Sequence, residues 1–350
     1  MVVRRRDVAE LAGVSPAVVS YVLNGGPRGV APETKERVLA AVQQLNYRPN
    51  GIARSLRINR TMTLGLVIPD ASNPFFAELA RALEEAAFAA GYTVLVGNAT
   101  DNEERQTAYV RTFLQRQVDG VLLVPAHGPV ACLPELQASK KPWVVLDRRV
   151  DLDDVAQVLV DNRGGAAEGT RHLLAHGRRR IACVAGPRDV MPSQDRTAGC
   201  RAALAEAGVR LPASLVRHVP FGRRAGYLAA MDLFGATRRR PDALFVASDE
   251  QAVGALRAFA ELGVACPDDV AVVSFDGIAD AAYSFPPLTT MTQPFGRLGQ
   301  EGVGHLLARM ADQAAEPEVS VLPVSLAVRE TCGCENPPAH TSADANGQER

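Results

Sequence analysis

The sequence predicts an α/β protein in which an N-terminal all-α helix-turn-helix headpiece precedes two similar α/β subdomains with parallel sheets. Three observations lead to this prediction. Two short helices meet at a glycine turn near the N-terminus, apolar strands alternate with amphipathic helices over the rest of the chain, and a basic N-terminal segment precedes an acidic remainder. With 350 residues, 47% of them hydrophobic, the chain is long enough to form two or three domains around a large core.

The N-terminal helices are indicated by spacing and by helix-end signals. In RRRDVAELAG the apolar residues recur at helical intervals, and Gly13 ends the helix. A second helix follows in SPAVVSYVLN, where Ser15 can cap the N-terminus and Pro16 suits a first position that needs no amide hydrogen. A third is predicted in APETKERVLAAVQQLNY. The pattern alone fits either a DNA-binding helix-turn-helix unit or three small helices covering part of a larger domain.

Charge favours the first of these interpretations. Residues 1–60 contain ten Lys or Arg and four acidic residues, a net charge of +6. The remaining residues contain 28 basic and 35 acidic residues, a net charge of −7. A basic N-terminal module joined to an acidic body is typical of a protein that binds the nucleic-acid phosphate backbone at one end.

The body of the chain, from about residue 61, reads as nine strands that alternate with helices. Continuous Val, Ile and Leu in the strands indicate parallel sheets covered on both faces. Because nine strands exceed one ordinary sheet, and a break occurs near VDNRGGAAEG, we predict two subdomains with a cleft between them. One would contain residues 61–160 with 291–320, and the other 161–290 with 321–331. A ligand would bind at the carboxyl ends of the strands.

Several functions are disfavoured by what the sequence lacks. No apolar run reaches the ~18 residues needed to cross a membrane, and no apolar segment follows the N-terminal arginines, so we expect a cytoplasmic protein rather than a secreted or membrane protein. No Ser/His/Asp set or G-x-S-x-G motif appears, and GRLGQEG lacks the lysine and strand of a phosphate loop. We therefore predict neither an enzyme nor a bound cofactor.

The cysteines and histidines do not predict a metal site. The six cysteines are scattered and are expected to be reduced. Cys332-Gly-Cys334 is not accompanied by a second ligand cluster, and His172 with His176, four residues apart on a predicted helix, shows no third ligand. The polar tail 332–350 is predicted to be disordered.

Several runs of residues carry a specific resemblance to a known family. DVAELAGVSPAVVSYVLNG followed by ETKERVLAAVQQLNYRPNGIARSL is similar to the DNA-binding headpiece of the LacI/GalR family of transcription regulators. VDGVLLVP, IACVAGP, LFVASDEQAVGAL and PPLTTMTQP resemble the effector core of that family, which is itself similar to periplasmic sugar-binding proteins. The resemblance covers roughly residues 3–331.

The resemblance implies a repressor that binds palindromic double-stranded operator DNA and a small-molecule effector, for which a sugar is the favoured candidate. It also implies a homodimer or a dimer of dimers. A response to a nucleobase or nucleoside, and a role as an activator, remain alternatives. A transport protein or an enzyme on the same fold is a further alternative, but a transport protein should have a signal peptide and no basic headpiece.

The resemblance also implies a DNA-binding surface on a headpiece of residues 1–49 and a hinge helix or linker of residues 50–60. Base-reading positions of the family fall on Pro16, Ala17 and Tyr21, and Ala17 can offer only an apolar contact. Leu56 would wedge between base pairs, unless the segment is a plain linker and Leu56 packs on the core. The predicted DNA-binding residues are Arg6, Ser15, Pro16, Ala17, Ser20, Tyr21, Asn24, Asn50, Ala53 and Leu56.

In the core, spanning residues 61–331, the resemblance implies a set of polar and aromatic side chains around the effector. Aromatic faces and charged or amide groups are the combination that a sugar or a nucleobase needs. The predicted residues are Asn73, Phe75, Phe76, Asp147, Arg196, Phe221, Ser248, Asp249, Asp276 and Gln293. The three phenylalanines also fit an ordinary core, Asp249 also fits a helix cap, and Asp147 also fits an ion pair with Arg148.

Overall fold

The computed structural model describes residues 3–24, 29–48, 55, 60–126, 130–235, 240–312 and 316–334. The chain separates into two compact units, Met1–Thr61 and Met62–Arg350. Over the described residues, no helix combines the length and apolarity that a membrane crossing requires.

The described part of the N-terminal unit contains three helices: α1 (Arg5–Ala12), α2 (Pro16–Asn24) and α3 (Pro32–Gln44). Gly13 adopts the left-handed conformation, with φ 64°, which lets the chain turn sharply between α1 and α2. At the start of α1 the Arg4 amide donates to the Asp7 carboxylate at 2.7 Å. The three helices share one small apolar core, formed by Val8, Ala9, Ala12, Val19, Val38 and Ala41. This arrangement is the predicted helix-turn-helix unit.

The larger unit contains two six-stranded sheets in its described residues. The first sheet has the order β11-β5-β4-β3-β1-β2, and all of its pairings are parallel. Its strands are β1 (Thr63–Ile68), β2 (Thr93–Asn98), β3 (Gly120–Leu123), β4 (Trp143–Leu146), β5 (Ala156–Val160) and β11 (Val319–Leu322). Its helices are α4 (Pro74–Ala89), α5 (Glu103–Gln115), α6 (Leu133–Ser139) and α11 (Phe295–Ala311). Helices α4 and α11 pack together on one face, while α5 and α6 cover the other.

The second sheet has the order β12-β10-β9-β8-β6-β7 and is parallel except for β12, which runs antiparallel to β10. Its strands are β6 (Ile181–Ala185), β7 (Val216–His218), β8 (Ala243–Val246), β9 (Ala271–Asp276), β10 (Thr290–Thr292) and β12 (Ser325–Ala327). Its helices are α7 (Asn162–Ala175), α8 (Met191–Glu206), α9 (Arg223–Phe234) and α10 (Asp249–Leu262). Helices α7 and α8 cover one face, and α9 and α10 cover the other. The two sheets confirm the predicted fold class.

The helix pairs on the second sheet approach closely because glycines face the neighbouring backbone. A Cβ on Gly199 of α8 would overlap the carbonyl oxygen of Arg163 on α7. A Cβ on Gly254 of α10 would overlap the carbonyl oxygen of Arg223 on α9. These glycines therefore fix the spacing of the helices that frame the second subdomain.

The chain passes between the two sheets at three points: after β5, after β10 and after β11. The last two crossings lie slightly later than the sequence boundaries predicted, because β10 keeps residues 290–292 in the second sheet and β11 keeps residues 319–322 in the first. Each strand completes its pairing before the chain leaves the sheet. Three chain segments, those after β5, β10 and β11, therefore connect the two sheets.

Candidate functional site

A cavity of about 230 Å³ opens between the two sheets at the carboxyl ends of their strands. Of the ten core residues predicted from the sequence, eight line it, and Asp249 and Gln293 do not. The lining consists of Pro69, Asp70, Asn73, Phe75, Phe76, Asp101, Asp147, Arg148, Pro187, Val190, Pro192, Arg196, Pro220, Phe221, Ser248 and Asp276. Parallel strands bring these residues together because their carboxyl ends meet at one edge of each sheet.

Asp276 ends β9 and presents a buried carboxyl group to the cavity. Its backbone has φ 122°, a conformation that costs free energy for any residue with a side chain and is found mainly at functional sites. Its Oδ1 accepts hydrogen bonds from Arg196 Nη1 and from Gln293 Nε2, both at 2.9 Å. Burial raises the pKa of the Asp276 carboxyl to about 7, against the opposing effect of the Arg196 charge. Within the described residues, Oδ2 accepts no hydrogen bond and so remains available to a ligand.

Arg196, on α8, is held in one orientation by its surroundings. Its Nε donates to Asn162 Oδ1 at 2.7 Å, and its Nη1 also donates to the Ala247 carbonyl oxygen at 2.6 Å. The guanidinium carbon lies 3.8 Å from the centre of the Phe275 ring, in a cation–π contact. Since only 3% of Arg196 is exposed, the side chain is a fixed cation beside the Asp276 carboxylate rather than a mobile surface charge.

Asp147 is the counterpart of Asp276 on the first sheet. It directly follows β4 and has a left-handed backbone, with φ 64°. Burial raises the pKa of its carboxyl group, and the charges of Arg148 and Arg196 oppose the rise. Its Oδ2 lies 3.9 Å from Arg148 Nε, whereas Arg148 Nη1 donates at 3.2 Å to Asp101 and at 2.9 Å to the Pro125 carbonyl. The Asp147–Arg148 ion pair therefore exists, but it leaves the Asp147 carboxylate facing the cavity.

Aromatic rings and a helix start complete the lining. Asn73 caps α4, because its Oδ1 accepts from the Phe75 amide at 3.0 Å. The Phe75 and Phe76 rings meet edge to face, with centroids 5.0 Å apart, and both belong to the hydrophobic core as well as to the lining. The Phe221 ring lies where a Cβ on Gly186 would stand, so this glycine makes room for the ring.

Three further predicted residues have mainly structural contacts. Ser248 lines the cavity and caps α10, with its Oγ accepting from the Gln251 amide at 3.2 Å. Asp249, predicted to contact the effector, lies instead behind the cavity. Its carboxylate accepts from the Gly277 and Ile278 amides at 2.8 and 2.9 Å, and from the Thr290 hydroxyl at 2.6 Å.

These contacts correct the prediction for Asp249, because its carboxylate binds the chain just after Asp276 and the neighbouring strand β10. Gln293 is also corrected: it donates to Asp276 at 2.9 Å and positions that carboxylate without lining the cavity. Both residues are therefore positioning residues in this structure.

Some lining residues were not predicted from the sequence. Asp70 lies two residues after the end of β1, and Asp101 lies three residues after the end of β2. Both lie at the same edge of the sheet as Asp147. The signal that identifies them is the position of a polar residue just after a buried strand. Asn162 does not line the cavity but holds Arg196, and it was missed because this contact joins residues from two separate helices.

The headpiece presents the start of α2 to solvent. Pro16 and Ala17 are exposed and Tyr21 is half-buried. The Ser15 hydroxyl accepts from the Val18 amide at 3.4 Å, and exposed Arg6 pairs with Glu10 at 3.0 Å.

Ser20 differs from the expectation of a DNA-binding residue, since only 5% of it is exposed and it follows the core residue Val19. The described headpiece therefore offers Pro16, Ala17 and Tyr21 on this surface and not Ser20. Asn24 ends α2, but its side chain lies outside the described residues, as do Asn50, Ala53 and Leu56.

The structure also contradicts one expectation about metal ligands. His172 and His176 on one side, and Cys332 and Cys334 on the other, were each expected to lack further ligands. Their ligand atoms all lie within 4.8 Å of one another. The two pairs together form one cluster, although more than 150 residues separate them in the sequence.

A helix-turn-helix unit joined to a ligand-binding core of two parallel-sheet subdomains defines a class of DNA-binding regulator. Comparison with known families agrees: residues 6–50 match the bacterial regulatory proteins of the lacI family, and residues 170–332 match a periplasmic binding protein-like domain. The chain is 38% identical over 316 residues to the HTH-type transcriptional repressor PurR of Erwinia tasmaniensis, covering 89% of this chain and 92% of that protein. The chain therefore belongs to the lacI family and is a DNA-binding transcriptional regulator of that family.

Two solved structures show how far the similarity extends. The lac repressor dimer bound to operator and the anti-inducer ONPF superposes with a TM-score of 0.84 at 30% identity, covering 95% of this chain and 99% of that one. The complex of the transcriptional regulator CelR with cellobiose has a TM-score of 0.71 at 32% identity, covering 94% of this chain and 99% of that one.

Proposed function

We propose that this protein is a transcriptional repressor whose affinity for operator DNA is set by a small sugar bound in the cavity between the two sheets. The observation that carries the proposal is the opposition of two buried carboxylates, Asp147 from the first sheet and Asp276 from the second, across one cavity that also has aromatic walls. A ligand that contacts both would join the two subdomains.

The charges around the cavity favour a neutral ligand with several hydroxyl groups. The lining contains four aspartates and two arginines. Carboxylates are mainly hydrogen-bond acceptors, so they suit a ligand with many donors, and those that are ionised repel a phosphate or carboxylate ligand. Arg196 adds donors for ring or hydroxyl oxygens, and Phe221 supplies an apolar face for a sugar ring.

The size of the cavity points to a small ligand. Its volume of about 230 Å³ falls below the ~300–1,000 Å³ that is typical for sites that bind drug-sized molecules. A monosaccharide suits this space better than a longer oligosaccharide.

A nucleobase or nucleoside is the second candidate effector. The observation in its favour is the 38% identity to a repressor named PurR over most of both chains. A planar base could stack on Phe221 and bond its polar edge to Arg196 and Asp276. Similar structures in complex with cellobiose, and with ribose, favour the sugar.

The proposal extends to the way in which the effector acts. A ligand shifts an equilibrium between two arrangements only by its difference in affinity for them. A sugar held by Asp147 and Asp276 together binds best where the sheets are closest, so it favours a closed core. In a homodimer on a palindromic operator, that change would alter the spacing of the two headpieces.

Contact with DNA is assigned to the basic segment 1–60, with α2 in the major groove. Pro16, Ala17 and Tyr21 would face the bases, and Arg6, Ser15 and Asn24 the phosphates. Asn50, Ala53 and Leu56 would lie in or beside the minor groove. Binding should weaken with salt, since contacts to phosphates release counterions.

The experiment that tests the effector assignment is a thermal-shift screen of the full chain against monosaccharides, disaccharides, nucleobases and nucleosides. A ligand at ~100 times its dissociation constant stabilises the folded protein by ~2.7 kcal/mol. Calorimetric titration of each hit into wild type, Asp147→Asn and the surface control Asp232→Asn then locates the site. Asp232 pairs with Arg217 on the surface and does not line the cavity.

We expect a sugar to bind wild type and the control alike and to bind Asp147→Asn weakly. A nucleobase as the strongest hit would replace the sugar assignment, and equal binding to all three proteins would place the ligand elsewhere.

A further inference from the structure

The C-terminal end of α7 and the last described segment of the chain form a cluster of four metal-binding side chains. His172 lies in the final turn of α7 and His176 directly follows the helix, so both imidazoles lie on one side of it. Cys332 and Cys334 reach them from a segment that follows β12. The cluster belongs to the second subdomain, and none of its members lines the cavity described above.

We propose that His172, His176, Cys332 and Cys334 bind one Zn²⁺ ion in a closed tetrahedral site. Two thiolates and two imidazoles are a ligand set of structural zinc sites, and four protein ligands leave no position for a substrate or water. This inference is independent of the identity of the effector.

The distances suit such a site. With Zn–S of about 2.3 Å and Zn–N of about 2.0–2.1 Å, tetrahedral geometry puts neighbouring ligand atoms roughly 3.3–3.8 Å apart. Cys334 Sγ lies 3.2 Å from His176 Nε2 and 3.7 Å from His172 Nε2. Since all four ligand atoms lie within 4.8 Å of one another, a contraction of about 1 Å at the widest pair completes the tetrahedron.

The backbone already holds the cysteine segment in place. The Thr331 hydroxyl donates to the Val272 carbonyl at 2.9 Å and accepts from the Thr289 amide at 2.8 Å, which fixes the residue before Cys332 to the sheet. Gly333 has φ 87°, a left-handed conformation that turns the chain between the two cysteines and lets both sulfurs face the histidines. The site is therefore formed by rigid elements on both sides.

Charge and burial are also compatible with the ion. Cys332 is buried in the apolar core between α7 and the sheet, Cys334 and His172 are half-buried, and His176 is exposed. Two thiolates neutralise one Zn²⁺, so the occupied site carries no net charge into this environment. The exposed imidazole gives the ion a path from solvent.

The consequence of zinc binding is a crosslink between distant parts of the chain. His176 and Cys334 are 158 residues apart in sequence, and the ion would pin the C-terminal segment to the end of α7. Because the unfolded chain cannot present the four ligands together, zinc binding stabilises the folded second subdomain. The ion has a structural role, comparable to that of a disulfide that closes a long loop.

The test uses the full chain, purified under reducing conditions, stripped with a chelator and titrated anaerobically with Zn²⁺ in competition with a metal-binding dye. Cys334→Ser and His176→Ala each remove one ligand near the surface. Cys266→Ser is the matched control, because Cys266 is a half-buried thiol that contacts Thr331 but lies outside the cluster. Circular dichroism of each apo protein verifies that it is folded.

We expect wild type and Cys266→Ser to bind one Zn²⁺ per chain and to melt at higher temperature as zinc is added. Each ligand variant should lose more than about 100-fold in zinc affinity, since loss of groups that merely orient ligands already costs 10–100-fold. Co²⁺ should give the visible spectrum of a tetrahedral thiolate site in wild type and in Cys266→Ser. Neither ligand variant should give this spectrum.

Three results would overturn the proposal. Wild type could bind no stoichiometric zinc, the ligand variants could bind zinc as tightly as wild type, or Co²⁺ could give wild type the spectrum of a site without thiolate ligands.

Discussion

Substitution of Asp276 by Asn removes the charge of the cavity carboxylate while keeping its shape. The Asn oxygen can still accept from Arg196 and Gln293, which now donate at 2.9 Å, so the side chain should keep its position. A hydrogen bond to a charged group contributes about 1.5–3 kcal/mol. Because a tenfold change in affinity corresponds to about 1.4 kcal/mol, the effector should bind about 10- to 150-fold more weakly. Isothermal titration with the effector measures this directly at a pH above the Asp276 pKa of about 7, where the wild-type carboxyl is ionised.

The same variant has a second signature in the pH dependence of stability. The pKa of Asp276 is raised by burial to about 7 from an ordinary value of 3.8. Between these two pH values the folded protein holds a proton that the unfolded chain has lost. The free energy of unfolding of wild type therefore falls as the pH rises through this window. Asp276→Asn should lose this part of the pH dependence, measured by urea denaturation at several pH values, while Asp232→Asn keeps it.

Asp276 does not contact the effector if the Asn variant binds the effector with wild-type affinity. A second outcome is that the variant loses binding but keeps the full pH dependence of wild-type stability. In that case the raised pKa belongs to another buried group, such as Asp249, whose pKa burial raises to about 6.

Three further predictions concern DNA binding and packing. A fragment of residues 62–350 should bind the effector like the full chain but should not shift operator DNA in a gel, because the remainder of the chain is acidic; a shift by this fragment would contradict the headpiece assignment. Leu56→Ala should weaken operator binding and reduce DNA bending in permutation gels without changing effector affinity, whereas full bending would make Leu56 a linker residue. Gly254→Ala should lower the free energy of unfolding by about 1–3 kcal/mol, because the added methyl group would clash with the Arg223 carbonyl oxygen. Gly304→Ala, at an open position of α11, should not destabilise the protein. Urea titration measures both variants, and equal stability of the two would contradict the packing argument.

The nine strands predicted from the sequence correspond to β1–β9, because each is an apolar run between turn residues. The missed strands β10, β11 and β12 are only three or four residues long, and most residues of β11 and β12 are exposed or half-buried. Such short segments lack a periodic signal, and their pairing is decided by where the chain crosses between the sheets. Helix α11, which carries the chain back to the first sheet, was also not predicted.

The candidate site was predictable to the extent that side chains follow strands or match family motifs. Asp147 and Asp276 meet both conditions and face each other across the cavity. Asp249 and Gln293 follow the motifs, but their direction is set by hydrogen bonds to the chain around Asp276, which no spacing reveals. The His172–Cys334 cluster was missed because the two halves come together only through the fold.

If a ligand in the cavity controls binding to DNA, the affinity for operator must change when that ligand is added. Fluorescence anisotropy with a labelled operator, at fixed salt, gives the dissociation constant of the full chain without effector and with a saturating concentration. We predict a change of at least about tenfold for wild type, equivalent to about 1.4 kcal/mol of coupling, and little change for Asp276→Asn at the same effector concentration. If wild-type operator affinity stays the same at saturating effector, the cavity does not control DNA binding.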